Sequence, residues 1–236
     1  EETAQALYKL WFVDFEFPSE DGKPYKSSGG IMEFSEELDQ EIPYIFLGEK
    51  MEGHVLLSQG IQVGPDLQFQ EKQANQNRFL RIIDYTPGTN ELPRFVSIDD
   101  ERYYCTKDEV IMIRYGDAGT VCRRLEGVIA NNLFKISPVS LSNNFLYYYL
   151  RDYKVQNYIK NTAGSSTISA ITHGTIKELA SVIPSIEILS AFDELINPIE
   201  SQIVNLMAEI IYLKELKFII LSKMSKIEPL QTEQAI

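Results

Sequence analysis

Apolar residues first recur at helical spacing, at Ala4, Leu7, Leu10 and Trp11, and predict a helix over the opening residues. Val13, Phe15 and Phe17 then alternate as in an extended segment, and Pro18 stops the run. No capping residue precedes this helix, so it reads as the downstream end of a longer one. A Gly-, Ser- and Pro-rich stretch from Ser19 to Gly30 follows, predicting a linker or an ordered surface crossing. From Ile31 to Pro184 the pattern is mixed and mostly strand-like. GHVLLSQGIQVG, RFLRIIDYT, RFVSIDD and EVIMIRYG are short apolar runs closed by Gly, Asp or Pro. The exception is LSNNFLYYYLRDYKVQNYIK. Ser142 or Asn143 can cap it, and Leu146, Tyr149, Leu150, Tyr153 and Tyr158 give it an apolar face, predicting one helix. A polar loop, NTAGSSTIS, comes next, then a short helix after Thr172 that Pro184 ends.

The last segment is the most regular. Ile196, Ile199, Ile203, Leu206, Ile210, Leu213, Ile220 and Met224 fall on alternating steps of three and four, with Lys217 the polar seam position. Nearly five heptads of this kind predict a long coiled-coil-forming helix. With Asn197 as cap and Pro198 in the first turn, it runs to Lys226 and measures roughly 45 Å. A helix that long with an apolar stripe wants a partner helix; the bland alternative is that it lies along its own domain. The pattern as a whole predicts an α/β (α+β) fold. The end of a helical region spans 1–18, one globular domain spans 19–184, and the long helix and a tail span 185–236.

Composition narrows the classes. The chain has 236 residues, 44% of them hydrophobic, which is enough for a real core and excludes disorder. Two cysteines, Cys105 and Cys122, make no disulfide framework and read as reduced thiols, so a cytoplasmic location is expected. No apolar run approaches the roughly 20 residues that span a bilayer, so no membrane partner is expected. The net charge is -12, concentrated early: residues 1–52 hold 13 acids and 4 bases. Such a chain is poorly suited to bind nucleic acid unaided, because phosphate neutralisation dominates affinity. Any such role is local or shared with a more basic partner.

No catalytic constellation is visible. His54 and His173 lack metal-ligand spacing, and the cysteines make no CxxC. Nucleophile elbow, P-loop and dinucleotide fingerprint are all missing. Gly116 and Gly119 form a weak GxxG, which usually marks a turn. Three loops concentrate hydrogen-bonding groups. In the first, Gln70, Lys72, Gln73, Asn75, Gln76, Asn77 and Arg78 carry amides that match the major-groove edge of adenine and cations that match guanine. A solvated hairpin tip has the same composition. In the second, Arg123 and Arg124 follow a turn and can meet phosphates, as can Lys107; an ordinary ion-pair site reads alike. The third is the small, polar NTAGSSTIS, either a close-approach loop or a flexible one.

Tyr8 to Pro18, YKLWFVDFEFP, and Gly22 to Glu33, GKPYKSSGGIME, strongly resemble the central conserved region of type I restriction-modification specificity subunits. Arg78 to Thr86 and Ile113 to Val121 resemble strand motifs of that family's target-recognition domain. AGSSTISAIT, Leu179 to Ser185 and the heptad helix resemble its exit into a conserved spacer helix. A full-length member carries two target-recognition domains and two spacer helices, and this chain resembles one half of it, natural or a fragment; the W-F-V-D-F block does not recur after the last helix. The resemblance implies a non-catalytic role in choosing the DNA sequence. It implies double-stranded DNA, a modification subunit and a restriction subunit as partners, the first methylating adenine with S-adenosylmethionine, the second using ATP and Mg; this chain itself holds no cofactor. A half-subunit leaves its stripe uncovered, so an antiparallel homodimer is expected through Ile196, Ile199, Ile203, Leu206, Ile210, Leu213 and Ile220. The competing expectation is a helical assembly module with no direct DNA readout.

Overall fold

The computed structural model describes residues 1–89, 91–163 and 170–224. Helix α1 (Glu2–Phe12) buries Ala4, Tyr8, Trp11 and Phe12. Leu10 is exposed and Leu7 only half-buried, so the buried face is rotated from the expected one. Aromatic area decides this: Phe12 packs edge-on to Phe145 and Phe192, with ring centroids 4.8 and 5.0 Å away, and Tyr8 joins them. The segment after α1 is not a strand. Phe15 turns left-handed (φ 63°), which buries both Phe15 and Phe17. Residues 19–30 form an ordered crossing rather than a loose linker: Ser19 N–H reaches Lys23 O, and Tyr25 stacks on Phe17 at 4.7 Å.

Strands β1 (Met32–Ser35) and β2 (Gln40–Pro43) pair antiparallel. Next come β3 (Leu47–Lys50), β4 (Val55–Gln59), β5 (Asn77–Leu80), β6 (Arg94–Val96), β7 (Tyr104–Cys105), β8 (Val110–Ile113), β9 (Val121–Cys122), β10 (Gly127–Ile129) and β11 (Leu133–Pro138). Among the described residues β4 to β11 form two four-stranded sheets, ordered β6-β5-β10-β7 and β4-β11-β8-β9, with β10 parallel to β5. The four apolar runs singled out in the sequence become β4, β5, β6 and β8. Half of RFLRIIDYT, however, is the 3-10 turn Ile82–Tyr85. The Asp84 carboxylate accepts from Arg81 N–H at 2.9 Å and from Arg78 at 3.0 Å, folding the chain back on itself.

Leu80, Cys105, Ile111, Ile113, Cys122, Ile129 and Leu133 form a core drawn from both four-stranded sheets. Burial pushes both thiols up to about 12, which fits unreactive core cysteines. A second core holds Val63, Phe79, Val96, Val128 and Ala130. Gly60 and Gly127 sit where backbones meet. A Cβ on Gly60 would collide with Ala130 O, and one on Gly127 (φ 149°) with Arg78 O.

The Tyr-rich segment is two helices, α2 (Asn143–Leu150) and α3 (Tyr153–Ala163), not one. Ser142 caps α2, its Oγ accepting from Phe145 N–H at 3.1 Å. The break has a cause. Asp152 Oδ1 accepts from Lys154 N–H at 2.9 Å, and Gln156 Nε2 caps Leu150 O at 2.6 Å, so side chains take over backbone groups at the corner. Tyr153 and Tyr158 are consequently exposed. The short helix α4 (His173–Lys177) starts at Thr172 as expected, and β12 (Ala180–Ile183) pairs with β3.

Helix α5 (Ile186–Met224) is continuous for 39 residues, about 58 Å. It starts eleven residues before Asn197, so Asn197 is no cap and Pro198 lies inside the helix. The missing proline N–H leaves Glu194 O without its helical partner. The chain divides into two compact units at this point, Glu2–Glu194 and the helix from Leu195 onward. The first turns of α5 belong to the first unit, where Leu189 and Phe192 are buried. In the second unit Ile196 is already buried within the chain and is removed from the expected dimer face. Ile199 and Ile203 are half-buried, while Leu206, Ile210, Leu213 and Ile220 are exposed. The Met224 side chain and Lys226 lie outside the described residues.

Candidate nucleic-acid interface

The amide-rich loop leaves one side of β6 and returns on the other. Phe69 bridges Phe95 antiparallel, while Arg78 of β5 faces Phe95 from the opposite flank. Residues 70–75 therefore cross the end of a strand and stand in solvent. Gln70, Lys72, Gln73 and Asn75 are exposed, and Asn75 takes a left-handed conformation (φ 61°) that turns the loop back.

The other three predicted readers are anchors. Gln76 is 5% exposed; its Oε1 accepts from Gln73 N–H at 3.0 Å and its Nε2 donates to Ser97 Oγ at 3.4 Å. Asn77 Nδ2 donates to Ile98 O at 2.9 Å, and Arg78 pairs with Asp84, whose side chain is 3% exposed. The expectation for Gln76 is corrected, since a buried amide with both ends bonded has nothing to offer a base edge. Asn77 and Arg78 are half-buried and each commits one side-chain donor to the fold.

The arginine pair also differs from expectation. Arg123 is 7% exposed and donates to Asn144 Oδ1 at 3.0 Å and Asp108 O at 3.4 Å, so it is no phosphate contact. The guanidinium carbons of Arg123, Arg124 and Arg151 lie 4.8, 5.2 and 5.1 Å from the Tyr147 ring centroid. This cationic cage fixes the turn before β10 to α2. Arg124, left-handed at φ 75°, bonds its N–H to Lys107 O at 2.8 Å. Lys107 is exposed, and its Nζ lies 4.0 Å from Glu126. Of the NTAGSSTIS loop, residues 164–169 lie outside the described residues.

A cation that the sequence reading passed over stands at the end of β8. Arg114 NH1 donates to Gln59 Oε1 at 3.0 Å, and its guanidinium lies 4.9 Å from the centroid of the exposed Tyr115 ring. Gln59 spends its own amide N–H groups on Asn131 O and Leu133 O, which turns its oxygen toward Arg114. His173 packs edge-on to Phe134 at 5.2 Å. Burial, then the Arg114 and Lys177 charges, hold its imidazole below the ordinary value. The available signal was strand alternation: Gln59 faces Phe134, which faces Met112, two residues before Arg114.

Among the described residues no three His, Cys, Asp or Glu side chains gather as a metal site. No described helix is long and apolar enough to cross a membrane.

A mixed α/β domain of two meeting sheets, followed by one long helix, has counterparts of similar fold among solved structures. The structure is similar to the HsdS subunit from Thermoanaerobacter tengcongensis, with a TM-score of 0.53 at 16% identity over 94% of this chain and 49% of that one. A structure described as showing complex assembly and conformational transition of the type I R-M system gives 0.53 at 17%, over 92% of this chain and 50% of that one. The type I restriction-modification S subunit from M. genitalium gives 0.53 at 17%, over 78% and 46%. This chain thus spans about half the length of the structures it matches. No curated protein matches its sequence. Residues 66–209, well over half the chain, match the profile of the type I restriction modification DNA specificity domain, and the chain belongs to that family.

Proposed function

We propose that this chain reads a DNA sequence on behalf of a type I restriction-modification complex and performs no chemistry itself. The observation that carries the reading is that the matched family region includes an exposed, amide-rich loop, 70–75, standing clear of the sheet. Gln70, Gln73 and Asn75 have the donor–acceptor pairs that fit adenine, and Lys72 fits guanine. Lys107 and Arg124 are the phosphate candidates at the turn before β10. The net charge of -12 makes the isolated chain a weak binder, so a modification subunit supplies much of the positive field and, with S-adenosylmethionine, the adenine methylation. A restriction subunit using ATP and Mg is the second partner. A second copy of the chain, antiparallel along α5, is the proposed cover for the exposed apolar residues of that helix.

The test is affinity for target and non-target duplex, measured with the modification subunit present. Gln70→Ala with Gln73→Ala is expected to lower target affinity by about 1–3 kcal/mol per lost bidentate contact and to narrow the target-to-non-target ratio. An unchanged ratio would move the reading head to another loop. The assembly-module reading draws on the exposed apolar length of α5; it wins if the complete complex binds both duplexes equally.

A further inference from the structure

The chain carries 34 acids against 22 bases, and most described arginines with a resolved partner meet a carboxylate or a backbone oxygen: Arg78 and Arg81 hold Asp84, and Arg102 holds Asp100. Arg114 differs. Among the described residues its partners are a neutral amide, Gln59 Oε1, and the Tyr115 ring. Arg94 likewise has no carboxylate partner among the described residues, but no ring or amide there orients it. At Arg114 both are in place. One guanidinium edge is fixed by Gln59, itself fixed by two backbone carbonyls, and the flat face rests against Tyr115. Among the described residues no carboxylate lies within ion-pair distance of Arg114; Asp117, three residues on, accepts from Thr120 Oγ1 at 2.7 Å. Arg114 is therefore without a paired carboxylate among the described residues, half-buried and held in one orientation. That is the arrangement of a group that accepts an anion without reorganising.

We infer that Arg114, positioned by Gln59 and Tyr115, receives a phosphodiester of the bound duplex at the end of β8, apart from the 70–75 loop. This rests on the DNA-reading proposal above. The remaining guanidinium donors have no acceptor among the described residues, and a phosphate oxygen is the anion a duplex presents along its whole length. The contact carries no sequence information. Its part is to fix where the duplex lies relative to the exposed amides.

The experiment uses the chain assembled with its modification subunit and measures affinity against salt for target and non-target duplex. Arg114→Gln is expected to weaken both duplexes alike, by about tenfold, and to lower the slope of log affinity against log salt by about one. Tyr115→Glu sets a carboxylate against the same guanidinium from an exposed position and is expected to lower the slope similarly; it decides the matter if Arg114→Gln does not fold. A slope unchanged in a folded variant overturns the inference. So does a loss confined to the target duplex, which would make Arg114 a base reader. Failure of the unsubstituted complex to prefer its target strikes the DNA-reading proposal instead.

Discussion

Gly127 shows how much a single position settles. Its φ of 149° is open to glycine alone, and the space a Cβ needs is held by Arg78 O of the neighbouring strand. Gly127→Ala is expected to cost at least about 1–3 kcal/mol from strain, before the backbone displacement is counted. Chemical denaturation should show it as a lower midpoint with an unchanged slope. His173 titrates in a predictable direction. With its folded pKa below the ordinary 6.5, the unfolded chain takes up a proton first, so stability declines as pH falls through 6.5. Residue identity is legible where chemistry and backbone demand agree, as at the Ser142 cap. It is ambiguous for amides and arginines. Gln73 and Gln76 are identical as letters, yet one stands in water and the other bonds a backbone N–H and a serine. Nothing in the spacing separates them, because that choice is made by contacts with Ser97, 21 residues away.

At the scale of elements, periodicity located the strands β4, β5, β6 and β8 and the helices α1, α4 and α5. It misjudged ends and breaks, which belong to side chains competing for backbone groups. Asp84 ends β5, and Asp152 with Gln156 splits the Tyr-rich helix. Pro198 failed to start a helix because the apolar residues Leu189 and Phe192 already hold the preceding turns in the first unit. Burial there outweighs the roughly 3 kcal/mol that an internal proline costs. Ser142 caps α2 and also donates to Asp193 Oδ1 at 2.9 Å, tying two helices together. Ser142→Ala is expected to cost about 1–2 kcal/mol, more than an isolated cap, read as a fall in melting temperature.

For the whole molecule, the second unit is the anomaly. The seam residues Leu206, Ile210, Leu213 and Ile220 are each about half exposed, and Met207, Ile211, Leu216 and Leu221 extend the apolar surface well beyond a two-helix seam. An apolar surface this large marks an interaction site. The proposed antiparallel pairing predicts dimers at micromolar concentration by sedimentation, reduced to monomers by Leu206→Asp with Leu213→Asp. Monomers in the unsubstituted chain would remove the second copy as the cover. The family and this architecture were legible in the sequence; the partner was not, because a stripe records that burial is needed and not by what.

The division of labour in the 70–78 segment bears on how such a protein changes over generations. Gln76, Asn77 and Arg78 hold the loop to the sheet and left-handed Asn75 turns it, so the side chains of residues 70–74 owe little to folding. Exposed substitutions of that kind usually shift stability by less than about 0.5 kcal/mol. Drift in the tip is therefore nearly invisible to selection for a folded chain while being fully visible to selection for what the tip touches. A new preference can arise there one residue at a time, on a scaffold that never passes through an unstable intermediate.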